Sequence, residues 1–398
     1  MSTVFASQTL GKVNWDFAGA KTVFSTHGIH PYPAKYIPQI PASLIQELSD
    51  PGERIGDIFC GSGTTLVEAL SLGRHAVGVD ANPLACLISE AKTVRLTAED
   101  RQSLEGIVTR AKALASEISV TTSGLFAGRE GFVSNAPRPE SEALTFWFEP
   151  FVIEELAQAL SWCDALPTET ANKVARVSLS AIIVAVSKQD SDTRYVRRDK
   201  NIPPGETLRR FARSLANTIE AISEFNRALT PELCCDIHHA NLLTKPDIGT
   251  VDLVVCSPPY PNAYSYHLYH MTRMLWLGMD QPKFKREEIG SHRKYSSRSQ
   301  NGATAETFRS EMDVIFDWLR AHLRENRYAC LVVGNSTIRG ETVDNAQLLA
   351  DVAKGRGFRE VARLNRNMQE TKKAFNPAHG RIKTEQIVIL QNAPGVRA

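Results

Sequence analysis

Residues 54–80 read RIGDIFCGSGTTLVEALSLGRHAVGVD, and the fold class turns on how this stretch divides. RIGDIFC (54–60) is an apolar run of strand length. GSGTT follows, then a helical TTLVEALSLG, then HAVGVD (75–80) as a second strand. Gly61 and Gly63 therefore stand between a strand and a helix. Glycines let a backbone approach a ligand closely, and a helix N-terminus offers free N–H groups. The turn is neither GxGxxG nor GxxxxGK[ST]: no Lys follows Gly63, and Thr65 and Leu66 fill the third-glycine region. Asp57 in the turn would also repel a phosphate.

A carboxylate at that place suits a ligand with a positive or donor-rich end. Asp80 closes the second strand, where an acidic residue accepts hydrogen bonds from ribose hydroxyls. Asp236, in CCDIHHANLL, is expected to close a further strand and face an adenine amine. Ribose, adenine and an ammonium without phosphate describe S-adenosylmethionine. The cofactor set expected here is Asp57, Phe59, Gly61, Ser62, Gly63, Thr64, Thr65, Asp80, Ala81, Asp236 and Ile237. The plainer alternative is a tight turn with Asp80 capping a helix.

Outward from this unit, VDLVVC (251–256) and ACLVVGNS (329–336) read as further core strands. REVARLNRN and EQIVILQN form a hairpin near the end, around a polar loop at 370–382. Strands alternating with helices predict an α/β, Rossmann-like fold with a mainly parallel sheet covered on both faces. Residues 97–230 break the rhythm. In FVIEELAQALSW (151–162), Val152, Ile153, Leu156, Ala159 and Leu160 stand at helical spacing after Pro150. The stretch reads as a largely helical insertion and a candidate recognition region, flanked by sheet-forming segments at 1–96 and 231–398. Residues 123–142 read as a Gly-, Ser- and Pro-rich loop. Residues 264–310, polar, aromatic and basic, read as a long surface loop.

The composition sets limits. A net charge of +2 over 398 residues makes no global polycation, so nucleic-acid binding needs a local basic face. None of the seven cysteines forms a CxxC pair, so neither a zinc site nor a disulfide framework is indicated. The N-terminal MSTVFASQTLGKVNWDF lacks a signal-peptide pattern. SLSAIIVAVS (178–187) is too short to span a bilayer and reads as a buried helix. A cytoplasmic protein with no metal and no membrane partner is expected.

The strand at 251–256 ends in Ser257, Pro258, Pro259 and Tyr260. Its tip lies at the carboxyl edge of the sheet, where open α/β sheets bind ligands. An exocyclic amine on a nucleobase is a poor nucleophile because its lone pair is delocalised into the ring. The Ser257 hydroxyl and Pro258 carbonyl can accept its two N–H bonds, and proline rigidity holds them in place. Tyr260 can stack on a base taken out of its helix. The alternative is a strand-ending turn with a buried Tyr.

With these residues the chain resembles the amino-group DNA methyltransferases, whose members carry a (D/N/S)PP(Y/F/W) tetrad. The form beginning with Ser resembles the cytosine-N4 branch. DIFCGSGTTLVEAL is similar to the family's DPFxGSGTT loop, with Ile58 in place of Pro. HGIHPYPAKYIPQIPASLI (27–45) resembles its N-terminal cofactor segment, which implies that His30, Pro33 and Lys35 lie near the methionine end. The resemblance covers residues 25–95, 234–276 and 328–392, in an order that excludes the permuted class. It implies a seven-stranded sheet with an antiparallel last strand, and transfer of methyl from S-adenosylmethionine to a flipped cytosine in double-stranded DNA. No Pro-Cys nucleophile follows a strand, which argues against ring-carbon methylation.

DSDTRYVRRDKNIPPGETLRRF (190–211) gathers Arg194, Arg197, Arg198, Lys200, Arg209 and Arg210, with Tyr195 among them. Basic residues neutralise phosphates and an aromatic stacks on a base. Arg194, Tyr195, Arg197, Arg198 and Lys200 are the expected nucleic-acid contacts. SHRKYSSRS (291–299) and the loop with Lys372, Lys373 and Arg381 are weaker candidates. His267 and His270 in SYHLYH either touch substrate or pack beside the site. A restriction-modification or defence system with a cognate endonuclease is the expected setting. Adenine as target, RNA as substrate, and a catalytically silent DNA-binding subunit stay open as alternatives.

Overall fold

A computed structural model describes residues 10–122, 132–261, 264–296, 302–367 and 384–393. The first half opens with α1 (Gln39–Leu48), β1 (Arg54–Asp57), α2 (Thr64–Ser71), β2 (His75–Asp80) and α3 (Pro83–Thr93). Strand β1 stops at Asp57, earlier than the expected 54–60, because the chain must turn through Gly61 and Gly63 at positive φ. Helix α3 starts sharply: the Asn82 side chain accepts the Leu84 N–H, and Pro83 fills the first position.

Between α3 and the next sheet strand lie α4 (Ala98–Thr122), α5 (Ala143–Trp147), α6 (Pro150–Asp164), α7 (Glu169–Val186) and α8 (Glu206–Ala228). A small hairpin, β3 (Gln189–Ser191) and β4 (Arg194–Arg197), separates α7 from α8. Helix α8 shows why these helices pack as a layer. Leu208, Phe211, Ala212, Leu215, Ile219, Ile222 and Phe225 recur at helical spacing and are buried, while its charged residues point outward.

The second half holds β5 (Cys235–His239), β6 (Val251–Cys256), α9 (Tyr266–Tyr269), α10 (Met271–Leu277), α11 (Gln281–Glu287), α12 (His292–Ser296) and α13 (Ala305–His322). Then come β7 (Leu323–Gly334), the ribbon β8 (Ser336–Ile338) and β9 (Glu341–Val343), α14 (Asn345–Gly355), β10 (Phe358–Asn367) and β11 (Thr384–Asn392). The long surface loop expected over 264–310 is therefore corrected: helices occupy most of its described part. Met271, Met274 and Leu275 already stand at helical spacing, and Met274, Trp276, Phe284 and Tyr295 are buried. The polarity of 285–304 concealed that pattern.

The sheet has seven strands in the order β10-β11-β7-β6-β1-β2-β5. β1, β2, β5, β6 and β7 run parallel, and β11 runs antiparallel to both its neighbours. The expected C-terminal hairpin and antiparallel last strand are both present. Alternation along the strands divides the core. Ile55, Leu253, Val255, Cys330, Val332 and Ile387 face the side of α1 and α2. Val254, Cys256, Ala329, Leu331, Val333 and Val388 face α13 and α14. Among the described residues no helix is long and apolar enough to cross a membrane.

Candidate active site

The parallel strands β1, β2, β5 and β6 end on one edge, and the turn at 58–63 rises from its centre. Gly63 (φ 75°) brings the turn onto α3, where an added Cβ would lie 2.9 Å from Ser89 Oγ and 3.1 Å from Ser89 Cα. Asp80 fastens the turn from the neighbouring strand. Its Oδ2 accepts the Gly61 N–H at 2.8 Å, and its Oδ1 accepts the Asn82 N–H at 2.8 Å. Asp57 accepts the Phe59 N–H at 3.1 Å and the Tyr36 hydroxyl at 3.3 Å. Burial pushes Asp57 up to about 7 and Asp80 up to about 6, against an ordinary 3.8. Among the described residues, neither carboxylate makes an ion pair.

The N-terminal segment lies across this edge. His27 Nε2 meets Glu68 of α2 at 2.6 Å, which holds the segment down. Tyr32 covers the turn, its ring edge 3.5 Å from where a Gly61 Cβ would sit, and its hydroxyl accepts from Asn82 Nδ2 at 3.3 Å. Tyr266 of α9 stacks on Tyr32 with centroids 5.7 Å apart, and His270 packs against both rings. Tyr36 hydrogen-bonds Thr65, whose hydroxyl donates to the Val255 carbonyl at 3.1 Å. That contact ties α2 to β6.

A small cavity lies beside the turn, lined in part by Thr22, His27, Lys35, Tyr36 and Thr64. Lys35 Nζ donates to the His27 carbonyl at 2.8 Å. The fully buried Lys92 Nζ donates to the Ser62 carbonyl at 2.7 Å. Burial lowers the pKa of both lysines. Ser62 Oγ is buried with no partner among the described residues. These residues fit S-adenosylmethionine by the chemistry of the donor set. Carboxylates without an ion pair among the described residues suit its hydroxyl and ammonium donors, and lysines that donate to backbone carbonyls suit its carboxylate.

The expected cofactor residues do not all meet here. Phe59, Gly61, Ser62, Gly63, Thr64 and Thr65 lie on or beside the turn, Asp80 and Ala81 at the end of β2, and the buried Pro33 just before Lys35. His30 is turned away. Its Nδ1 lies 2.7 Å from the Pro31 carbonyl, and its Nε2 meets Ser180 of α7 at 3.0 Å. Asp236 is corrected. It pairs in register with Val77, three residues short of the end of β5, and makes a 2.8 Å ion pair with Arg54 at the start of β1. It belongs to the opposite edge of the sheet. Ile237 packs into the core. The residues that reach the ligand edge from β5 are His239, Ala240 and Asn241. The Ala240 N–H donates to the Asp80 carbonyl at 3.0 Å, and His239 Nε2 lies 3.2 Å from the Ala81 carbonyl. Tyr32, Asn82 and Tyr266 were missed as well, although Tyr32 stands inside the quoted HPYPAK.

Strand β6 pairs with β1, so the tetrad emerges beside the turn. The Ser257 hydroxyl donates to the Val332 carbonyl at 3.0 Å. Pro258 is buried. Gly290 (φ 74°) lets its loop cross the tetrad, since a Cβ there would lie 2.8 Å from the Tyr260 carbonyl oxygen. The Tyr260 hydroxyl lies 3.3 Å from Glu385 Oε1. Burial and that carboxylate raise the phenol's pKa well above its usual range, so it stays a neutral donor.

The β3–β4 hairpin packs against α9 and α10. The buried Arg273 of α10 pairs with Asp192 and donates to the Ser180 carbonyl at 3.0 Å. Gln189 Nε2 donates to the Tyr269 carbonyl at 3.1 Å. Of the expected nucleic-acid contacts, Arg194, Arg197 and Arg198 are exposed. Arg194 and Arg198 meet Asp190 at 3.2 and 3.4 Å, and Arg197 meets Asp199 at 3.5 Å. Tyr195 and Lys200 are corrected. Tyr195 turns inward, with its ring 5.2 Å from Trp147 and its hydroxyl on Met271 Sδ at 3.3 Å. Lys200 Nζ donates to the carbonyls of Val184 and Gln189 at 2.7 and 2.6 Å. Arg209 and Arg210 both pair with Glu206. His267 meets Glu288 at 2.5 Å in the interior. Lys372, Lys373 and Arg381, and the end of 291–299, lie outside the described residues.

Over residues 6–91 the chain matches the model of the N6/N4 methyltransferases, described as DNA methylase. It is 38% identical over 102 residues to the type II methyltransferase M.MjaII of Methanocaldococcus jannaschii, covering 24% of this chain and 19% of that protein. Over these segments the chain is similar to the amino-methyltransferase family. S-adenosylmethionine is the family's methyl donor. The type II methyltransferase M.MvaI of Kocuria varians is 32% identical over 143 residues, 35% of this chain and 30% of its own. M.BsoBI of Geobacillus stearothermophilus, also a type II methyltransferase, is 26% identical over 348 residues, 79% and 63% respectively. The chain thus spans less than two thirds of each relative. Among solved structures, the rRNA methyltransferase aviRa of Streptomyces viridochromogenes aligns with 92% of this chain and 89% of its own, at 11% identity and a TM-score of 0.33. The strand order, rather than that likeness, carries the fold.

Proposed function

We propose that this chain is an S-adenosylmethionine-dependent amino-methyltransferase that acts on DNA and that its acceptor is the 4-amino group of cytosine, in a restriction-modification or defence setting with a cognate endonuclease. The observation that carries the reading is the direction of the Ser257 hydroxyl. Its proton goes to the Val332 carbonyl, so the lone pairs of Oγ remain for an incoming N–H. Bound S-adenosylmethionine supplies an electrophilic methyl. The chain's own groups do the rest. Ser257 Oγ and the Pro258 carbonyl accept the amine's two N–H bonds and draw its lone pair out of conjugation. The prolines and Gly290 fix those acceptors in place. Tyr260 stacks on the extruded base. Tyr32 and Tyr266 close the cleft beside the turn and exclude water. The relatives are type II methyltransferases by name, which supports DNA as the substrate.

The test is a nucleoside digest read by mass spectrometry, after incubation with labelled S-adenosylmethionine and either unmethylated genomic DNA or total RNA. Label in 4-methylcytosine from DNA is expected. Label in 6-methyladenine would overturn the choice of base, and label in RNA alone the choice of substrate. Ser257→Ala and Tyr260→Ala are each expected to lower turnover by about a hundredfold, with cofactor affinity near normal. Tyr260→Ala at the wild-type rate would remove the stacking role.

A further inference from the structure

Strand β11 starts beside the end of β7. Glu385 pairs with Gly334, the last residue of β7, and on its other side with Arg366 of β10. Opposite charges directly across an antiparallel pair attract. Here both are withdrawn from solvent, with Glu385 8% and Arg366 6% exposed. Arg366 Nη1 donates to Glu385 Oε2 at 2.7 Å. The other oxygen, Oε1, accepts from the Tyr260 hydroxyl at 3.3 Å. A buried ion pair stabilises a fold poorly, because desolvation offsets the attraction. This one is not even saturated by the fold, since Arg366 Nε is buried without a partner among the described residues. The pair does present one oriented carboxylate oxygen to the aromatic of the tetrad.

We propose that Glu385, held by Arg366, is a positioning residue that aims Tyr260 at the target base, an inference that rests on the methyltransferase reading above. The alternatives open to the Tyr260 hydroxyl show why a carboxylate is needed. The Val332 carbonyl and Ser257 Oγ each lie 3.5 Å away, at the limit of a hydrogen bond. A charged acceptor wins over both. Without it the phenol turns to the Val332 carbonyl, which already receives the Ser257 proton. Two hydroxyls would then compete for one carbonyl, and the Ser257 proton would swing toward the amine it must leave clear. Glu385 therefore serves both working side chains of the tetrad while touching neither cofactor nor base.

The full-length protein tests this with labelled S-adenosylmethionine and unmethylated genomic DNA. Tyr260→Phe keeps the ring and the ion pair and removes only the hydroxyl bond. Glu385→Gln keeps the volume and a weaker acceptor oxygen. Tyr260→Phe is expected to lower kcat by about tenfold. KM for DNA and cofactor affinity should stay within about twofold of wild type. Glu385→Gln should fall between the two, and the double variant should lose no more than Tyr260→Phe alone, because both act through one bond. Additive losses, or Tyr260→Phe at the wild-type kcat, overturn the positioning role while leaving the methyltransferase reading intact. A wild-type protein that labels no nucleic acid overturns that reading, and the inference with it.

Discussion

Charged side chains gather in two neighbouring regions, and they are treated in opposite ways. Around the glycine turn, Asp57 and Asp80 make no ion pair among the described residues, and Lys35 and Lys92 donate to backbone carbonyls. In the β3–β4 hairpin, Asp190 takes Arg194 and Arg198, Asp199 takes Arg197, and Asp192 takes Arg273. Buried charge without a counter-charge raises the free energy of the fold. A cleft that keeps it is shaped for charge arriving from outside. A hairpin whose charges are matched locally is shaped first to hold itself in place. Charge count alone, which drew attention to the hairpin in the sequence, does not separate the two.

The largest effect expected from this contrast is on cofactor affinity. Asp80→Ala removes the acceptor proposed for ribose hydroxyls and also releases the Gly61 N–H. Its cofactor Kd by calorimetry should rise by roughly a hundredfold, as for the loss of charged hydrogen bonds. Asp236→Ala removes an acidic residue of the same strand neighbourhood but from the opposite edge. It should leave Kd within about twofold, because its exposed ion pair with Arg54 contributes little. Equal losses in the two variants would mean that the edges have been assigned the wrong way round.

Next in size is a proton effect. Burial pushes Asp57 up to about 7 and Asp80 up to about 6 in the folded chain, against 3.8 when exposed. Between those values the folded state holds protons that the unfolded chain has shed. Stability is therefore fully present below the ordinary carboxylate value and is lost as pH rises through the folded values. The ligand-free Tm should fall from about pH 4 to about pH 7. A cationic ligand favours the ionised carboxylates, so binding should release protons near pH 6 and strengthen toward neutrality. Calorimetry in two buffers of different ionisation enthalpy measures this directly. A binding heat independent of buffer would show that the carboxylates are already ionised and that their burial has been misjudged.

What the sequence made legible follows the same division. The strand, turn, helix and strand of 54–80, the tetrad at 257–260 and the C-terminal hairpin are local patterns, and local patterns survive folding. Asp236 failed because a strand's two ends look alike in sequence: CDIHH is equally apolar whether its acid opens or closes the strand. Tyr195 and Lys200 failed because whether a side chain turns outward depends on Trp147, Met271 and Val184, which are remote in sequence or on another element. Tyr32 and Tyr266 lie 234 positions apart and meet only through the fold. The helices of 264–296 were hidden by polar residues that face solvent between buried anchors such as Trp276 and Tyr295.

The smallest expected effect is at the hairpin itself. Arg194 and Arg198 share one carboxylate, so each phosphate contact would have to displace an existing attraction to Asp190. Replacing both with Ala should raise KM for DNA by only about threefold and flatten its dependence on salt by about one to two charges. Cofactor affinity should not change. Lys200→Ala makes the sharper control. Its ammonium bridges the end of α7 to β3, so the variant should lower Tm while leaving the salt dependence as it was. If Lys200→Ala instead flattened the salt dependence as much as the two arginines do, the lysine would have to leave its two carbonyls when DNA binds. The hairpin would then be a moving part that rearranges on its substrate, and the contrast between a charge-hungry cleft and a self-matched hairpin would hold only for the free protein.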